Sequence, residues 1–466
     1  MNNKYDYDLL CIGSGPAGQR AAVQAAKLGK RVAIIEKRRI AGGLCLDTGT
    51  IPSKTFREAV LTLTTLPRRL QPGQMIVAEH RPTVEQLLGR VSRVIQREAE
   101  VVEDQLRRNN VSMVSGEASF KDAHTLQVVA EMGSRVLTAA SILIAVGTVP
   151  APPLGVSADG DVVVTSDGLI DLKRLPRTMA VVGAGVIGIE YASMFAALGN
   201  EVTVVDKRDR PLEFLDGEIV DELIHQMRNR NVTFRFGEAV ERLDTAEGPP
   251  RRAVIFLESG KRLVSDMVLF SVGRLGATDS LNLPAAGLWA DERGRLKVDA
   301  QFRTLVPHIF AAGDVIGYPS LAATSSEQGR LAACYAFGLD IEPMAPHFPI
   351  GIYAIPEISA VGPPEHALTA AKVPYETGVA RYREIARGQI LGDENGLLKM
   401  VFHRQDRRLL AVHVIGTGAT ELVHIGQAIV GMGGGLDYFM KTVFNYPTLA
   451  ECYKVAALDA FNKLTQ

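Results

Sequence analysis

Twice in this chain a short apolar strand runs into a glycine-rich turn, then a helix, then a second strand that ends on an acid. The first copy comprises Tyr7 to Ile12, the turn Gly13-Ser14-Gly15-Pro16-Ala17-Gly18, a helical run from Gln19 to Leu28, and Arg31 to Ile35 ending at Glu36. The second comprises Thr178 to Val182, the turn Gly183-Ala184-Gly185-Val186-Ile187-Gly188, a helix from about Ile189 to Leu198, and Glu201 to Val205 ending at Asp206. Glycines at this spacing let backbone amides at a helix N-terminus approach a pyrophosphate, and the acid at the end of the second strand suits ribose hydroxyls. A lone glycine turn is weak evidence, whereas the whole unit is specific. Its duplication predicts an α/β chain with two Rossmann-like domains that hold two dinucleotides face to face.

With 466 residues, 47% of them apolar, the chain can fill about two to four domains with buried cores. Its 51 basic and 52 acidic residues nearly cancel, so no global field steers nucleic acid or an anionic membrane. No apolar run approaches the roughly 20 residues that span a bilayer, and Met1-Asn2-Asn3-Lys4 is too polar for a signal peptide. Cys11, Cys45, Cys334 and Cys452 are scattered, without metal-ligand spacing. That usage suits a reducing compartment, and a soluble cytoplasmic protein without a metal is expected.

After the first unit comes Gly42-Gly43-Leu44-Cys45-Leu46-Asp47-Thr48-Gly49-Thr50-Ile51-Pro52-Ser53-Lys54. This segment resembles the redox segment of the pyridine nucleotide–disulfide oxidoreductases, G-G-x-C-x-x-x-x-C-I-P-S-K, in which two cysteines form a disulfide beside FAD. Here Cys45 stands at the first position and Thr50 at the second, and a hydroxyl cannot form a disulfide. The tail departs from the family as well. Members that reduce disulfides carry H-x-H-P-T-x-x-E, whereas this chain reads Phe444-Asn445-Tyr446-Pro447-Thr448-Leu449-Ala450-Glu451. Tyr446 replaces the acid–base histidine, and a phenol with an ordinary pKa near 10 accepts protons poorly at neutral pH. Glu451 keeps its place with no imidazole to orient. Both parts that serve thiol chemistry are gone while both nucleotide units are intact. This combination resembles the branch of the family that carries hydride between nicotinamide nucleotides through FAD.

The resemblance implies FAD as cofactor, NAD(H) and NADP(H) as substrates, ping-pong kinetics and a homodimer. It also implies a set of candidate residues. Around FAD these are Gly13, Gly15, Pro16, Gly18, Glu36, Lys37, Gly43, Cys45, Lys54, Ala118 and Gly147. The run Thr304 to Asp314, T-x-x-x-x-I-F-A-A-G-D, resembles the family's late FAD motif and adds Gly313, Asp314 and, at the start of the next helix, Ala322. Asp314 would hydrogen-bond the ribityl chain, although a helix-capping turn is an alternative role. Around the nicotinamide nucleotide the candidates are Gly183, Gly185, Ile187, Gly188, Asp206, Lys207, Arg208 and Gly273. Asp206 suits a 2′-hydroxyl, while Lys207, Arg208 and Arg210 could neutralise a 2′-phosphate. Both a dual-specificity site and an NAD site with a solvated basic loop fit that pattern.

The catalytic candidates are Lys54, Glu190, Thr50, Tyr446 and Glu451. In the resembled family the matching lysine sits near flavin N5, paired with the glutamate that matches Glu190; an ordinary interdomain salt bridge is the alternative. Thr50 would fill the space of the lost thiol; a packed thiol is the alternative role for Cys45, and a structural ring that for Tyr446.

The expected domains are an FAD-binding domain in two parts, 1–150 and 276–345, an NAD(P)-binding domain, 151–275, and an α+β dimerisation domain, 346–466. A helix from Thr55 to Leu66 is interrupted by Pro67 and Pro72-Gly73, a helix from Val84 to Arg108 serves as scaffold, and further strands are expected at Ser141 to Val146, Met267 to Val272 and Ala380 to Tyr382. Rival readings are an NADH-dependent diaphorase or oxidase that passes electrons to a quinone or oxygen, a disulfide reductase that uses Cys452, and an idle FAD-bound scaffold.

Overall fold

The computed structural model describes residues 4–69, 82–248 and 250–465. The first unit opens with β1 (Tyr7–Ile12), α1 (Pro16–Lys27) and β2 (Val32–Glu36), followed by α2 (Gly43–Asp47), α3 (Thr50–Arg69) and α4 (Val84–Arg108). The strands β3 (Ser112–Ser115), β4 (Glu117–Asp122), β5 (Thr125–Ala130) and β6 (Gly133–Ile144) complete its sheet in the order β3-β2-β1-β6-β5-β4. Buried aliphatic runs such as Leu9 to Ile12 and Val32 to Ile35 suit strands covered on both faces.

The short strand β7 (Thr148–Pro150) leads into the second unit, whose first strands are β8 (Val163–Thr165) and β9 (Thr178–Val182). Then follow α5 (Val186–Ala197), β10 (Glu201–Asp206), α6 (Gly217–Arg228), β11 (Val232–Phe236), a three-stranded antiparallel layer of β12 (Val240–Ala246), β13 (Arg252–Leu257) and β14 (Arg262–Ser265), and finally β15 (Met267–Phe270). The parallel sheet reads β11-β10-β9-β15-β8. β16 (Arg274–Gly276) pairs with β7, so chain leaving and re-entering the first unit crosses as one two-stranded link.

β17 (Ile309–Ala311) returns to the first sheet beside β6, and α7 (Ala322–Ala336) packs across α1. Gly329 permits that crossing: a Cβ there would lie 2.0 Å from the Ala17 carbonyl oxygen. The last part is an antiparallel sheet, β18-β19-β22-β21-β20, built from β18 (Ile350–Ile352), β19 (Ile358–Val361), β20 (Tyr375–Arg381), β21 (Leu397–His403) and β22 (Leu409–Ile415). Around it lie α8 (Glu365–Ala370), α9 (Ala386–Leu391), α10 (Ala419–Gly431), α11 (Leu436–Lys441) and α12 (Glu451–Leu464). Among the described residues no helix is long and apolar enough to cross a membrane.

Several sequence expectations need correction. α3 runs on to Arg69, through Pro67, because a proline in the last turn of a helix removes a single backbone donor; Pro72-Gly73 lies outside the described residues. β6 begins at Gly133 rather than Ser141. Its first half pairs antiparallel with β5 and only its second half joins the parallel sheet, so its outer residues lack the apolar run expected of a buried strand. The strand expected at Ala380 to Tyr382 is Tyr375–Arg381, which is half-covered and polar, with Glu376 and Thr377 in it. The strand expected to run to Val272 ends at Phe270. Helices α1 and α5 begin inside their glycine turns, at Pro16 and Val186.

Candidate functional site: a dinucleotide cleft and a lysine–glutamate contact

The two glycine turns are copies down to their close contacts. Gly13 has φ +103°, and an added Cβ would lie 2.4 Å from the Ala145 carbonyl; Gly183 has φ +102°, and its Cβ would lie 2.5 Å from that of Ser271. A Cβ on Gly18 or Gly188 would lie 1.9 Å from the carbonyl oxygen of Gly13 or Gly183. Only glycine fits these four positions. By contrast, Gly15 and Gly185 face open space at the N-termini of α1 and α5, where a phosphate can meet backbone amides.

The acids close the turns in the same way. Glu36 Oε2 accepts from the Ser14 amide at 2.9 Å, and Asp206 Oδ2 accepts from the Ala184 amide at 2.6 Å, each across 22 residues. Ser14 does more than its counterpart. Fully buried, it donates its hydroxyl to Glu36 at 2.6 Å and accepts the Gly42 amide at 2.9 Å, so it ties the first turn to the segment that carries Cys45. A serine between two turn glycines gives no sequence signal for such a role.

A cleft of about 1130 Å³ lies over the first turn. It collects Gly13, Gly15, Pro16, Glu36, Lys37, Gly43, Cys45 and Thr50 from the first third of the chain, Ala118 and Gly147 from the sheet, and Gly313, Asp314 and Ala322 from the late return. Gly18 lies beneath, packed on Gly13. Lys37 reaches Glu117 at 3.1 Å on the rim. Burial pushes the Asp314 carboxyl above its ordinary range, against the Arg274 guanidinium and a 3.5 Å hydrogen bond from Ser325. A half-buried carboxyl short of donors at the cleft wall, with open glycine backbone at Gly15 and Gly147, fits a ligand that brings hydroxyls and phosphates, as FAD does. Arg274 carries no motif in the sequence. It holds Thr148 Oγ1 at 2.9 Å and Asp167 at 2.8 Å, and so stitches the interdomain link beside the cleft.

Cys45, half-buried, and Thr50, exposed, both line the cleft. Burial raises the Cys45 pKa, with the Thr50 side chain opposing, so the thiol stays protonated at neutral pH. All four cysteines are free. Cys452 is fully buried in the C-terminal core, where burial pushes its pKa up to about 12. That site is sealed against the thiol exchange a Cys452-based reductase needs.

One turn beyond Thr50 on α3, Lys54 Nζ lies 2.7 Å from Glu190 Oε2 on α5; Glu190 is 3% exposed. This contact joins the first unit to the second. In the second unit, Asp206 also accepts the Arg208 amide and guanidinium. Burial opposes its charge, but Arg208 and the two backbone amides outweigh burial and hold the carboxyl below its usual range. Arg210 is committed elsewhere, to the Gly217 carbonyl and Asp221. Lys207 is exposed, Ile187 lies in the first turn of α5, and Gly273, with φ +133°, follows β15.

Tyr446 and Glu451 do not join this constellation within one chain. Tyr446 is 67% exposed, whereas Glu451 opens α12 with its Oε2 buried and without a hydrogen-bond partner.

Two dinucleotide units joined by a lysine–glutamate contact, with an antiparallel sheet domain behind them, define a nucleotide-dependent oxidoreductase. The chain belongs to the pyridine nucleotide-disulphide oxidoreductase family, which matches residues 7–329; the dimerisation domain of that family matches residues 348–457. It is 53% identical over 461 residues to a soluble pyridine nucleotide transhydrogenase of Mycobacterium tuberculosis, covering 98% of each chain. It is 43% identical to the soluble pyridine nucleotide transhydrogenase of Colwellia psychrerythraea over the full length of both. Among solved structures it superposes on LpdA from Mycobacterium tuberculosis with a TM-score of 0.89 at 27% identity, covering 97% of this chain and 99% of that one. The HOCl-induced flavoprotein disulfide reductase RclA from Escherichia coli gives 0.86 at 26% identity, covering 98% and 99%.

Proposed function

We propose that this protein is a cytoplasmic FAD-dependent transhydrogenase that moves hydride between NADPH and NAD⁺ in a ping-pong cycle without a redox disulfide. The observation that carries the reading is the Cys45–Thr50 pair: the redox segment is built, yet its second sulfur is a hydroxyl. Relatives named soluble pyridine nucleotide transhydrogenase, aligned end to end, support it.

Bound FAD would supply the two-electron store that makes a dithiol unnecessary. In this assignment residues 1–150 and 276–345 hold FAD, 151–275 the nicotinamide nucleotide, and 346–466 pair two copies. Gly13, Gly15 and Pro16 present the α1 N-terminus to the pyrophosphate. Glu36 holds a ribose. Asp314 accepts from the hydroxylated chain of the cofactor, and α7, which starts at Ala322, turns its positive end to the ring.

Lys54 places a cation where negative charge collects, and Glu190 balances it so that the ammonium is not buried unpaired. Thr50 and Cys45 fill the floor and exclude water. On the other side, Gly183, Gly185, Ile187 and Gly188 form the second phosphate turn, with Gly273 across from it. Asp206, Lys207 and Arg208 meet the adenosine ribose. Tyr446 and Glu451 would reach the site only from a second copy of the chain.

The test is anaerobic stopped-flow spectroscopy of the purified holoenzyme, reduced with NADPH and then mixed with NAD⁺. Bleaching of the flavin band followed by recovery with NADH formation is expected. Bleaching by NADH but not by NADPH would sink the reading and leave an NADH-dependent diaphorase. No bleaching by either would leave a scaffold.

A further inference from the structure

Glu190 is held from two sides. Its Oε2 takes Lys54, and its Oε1 accepts the backbone N–H of Tyr353 at 2.8 Å, from the residue that follows β18 in the C-terminal sheet. The ring of the same tyrosine lies beneath the Lys54 ammonium, which is 5.0 Å from the ring centroid. At that range the negative face of the ring attracts the cation.

The residues after Tyr353 are gripped as well. Arg57, one turn beyond Lys54 on α3, donates to the Ala354 carbonyl at 3.0 Å and pairs with Glu357 at 3.0 Å; both charges are buried. Ser193, one turn beyond Glu190 on α5, accepts the Ile355 amide at 2.9 Å. Lys54 and Arg57 from one unit and Glu190 and Ser193 from the other thus close on one short segment of the C-terminal domain.

We propose that Tyr353 is a positioning residue for the hydride-transfer site, acting through Lys54, so that the C-terminal domain helps set the electric field at the flavin. The inference rests on the assignment of Lys54 to the flavin's edge. An ion pair alone leaves a four-carbon side chain several rotamers in which to meet a carboxylate. The Tyr353 ring removes those on its side and holds the ammonium at one place. A cation held near the ring system stabilises its electron-rich reduced form, so a loosened lysine makes reduction harder.

The experiment compares the holoenzyme with Tyr353→Leu and Tyr353→Phe. The readout is the midpoint potential of the bound flavin by dye equilibration, after FAD content and melting temperature have been matched. Every variant keeps the backbone N–H to Glu190, so only the ring is tested. Tyr353→Leu is expected to lower the equilibrium constant for two-electron reduction about tenfold, a shift of about 30 mV to more negative potential. Tyr353→Phe is expected to keep the wild-type potential, because the ring face rather than the hydroxyl meets the lysine. In a Lys54→Met background the Leu substitution should move nothing.

Equal potentials for wild type and Tyr353→Leu would overturn the proposal, as would an equal shift with and without Lys54. If Tyr353→Leu fails to retain FAD, Tyr353→Met replaces it under the same criteria. Failure of the wild type to move hydride from NADPH to NAD⁺ would sink the transhydrogenase reading while leaving the potential measurement free to decide this one.

Discussion

Arg208 closes on Asp206 with two arms of its guanidinium, Nε 2.9 Å from Oδ1 and Nη2 2.7 Å from Oδ2. An aspartate alone at this strand end attracts a 2′-hydroxyl and repels a 2′-phosphate, and an arginine alone does the reverse. The pair carries no net charge, and each partner can meet one of the two nucleotides. Arg208→Ala is therefore expected to cut kcat/KM for flavin reduction by NADPH by about 10- to 100-fold, the worth of a hydrogen bond to a charged group. NADH should be affected less than about threefold, and Asp206→Asn should shift preference towards NADPH. Anaerobic half-reactions with each nucleotide check this; equal losses for both after Arg208→Ala would refute the division of labour.

Thr50 stands where the family's redox segment has its second cysteine and lines the same cleft as Cys45, so a sulfur at position 50 is expected to restore the disulfide pair. The variant Thr50→Cys should lose two titratable thiols on mild oxidation, relative to its reduced form. It should still fail to turn over a disulfide substrate, because Tyr446 stands where disulfide-reducing members carry the acid–base histidine. Thiol titration of the denatured protein before and after oxidation decides the first point. Unchanged counts would mean that the segment does not hold the geometry of the family's disulfide.

Much of this was legible beforehand, and the exceptions have physical causes. The turns at Gly13 and Gly183 announce themselves because steric exclusion leaves glycine alone at those positions. The helix from Val84 to Arg108 is legible end to end, since its apolar stripe, its Thr83–Gln86 capping box and its terminal arginines agree. By contrast, β20 carries Glu376 and Thr377 on a half-covered edge, and β12 to β14 form a small solvated layer. Within that layer only β13 is apolar, from Ala253 to Leu257, and the charged strands on either side of it hide the sheet. Lys54 and Glu190 could be named in sequence only through family resemblance. Nothing local marks Ser14, Arg274 or Tyr353, whose roles come from partners distant in the chain.

Acid should loosen the C-terminal sheet at His413. This residue is fully buried on β22, directly opposite Lys399 on β21, which in turn reaches Asp216, Glu218 and Glu365. Burial is the main cause that lowers its pKa to about 4, with Asp216 opposing. The unfolded chain binds a proton at His413 from about pH 6.5 downward, while the folded chain stays neutral there until about pH 4. Stability is thus lost as pH falls through that window, by about 3 kcal/mol in all. His413→Leu should flatten the melting-temperature profile between pH 6.5 and pH 4 relative to wild type. Parallel profiles for the two proteins would show that the imidazole contributes nothing to acid sensitivity.

The duplicated turns allow the two nucleotide sites to be disabled one at a time. A methyl on Gly18 or on Gly188 would lie 1.9 Å from the carbonyl of the first turn glycine, far inside contact distance, so either turn must open to accept it. Gly18→Ala should yield protein that loses its yellow colour on gel filtration. Gly188→Ala should keep stoichiometric FAD and remain reducible by dithionite, yet bleach at least about 100-fold more slowly with NADH and NADPH alike. A Gly188→Ala protein that binds no FAD would contradict the assignment of separate tasks to the two units. One that is bleached at the wild-type rate would show that the second turn does not seat the nicotinamide nucleotide.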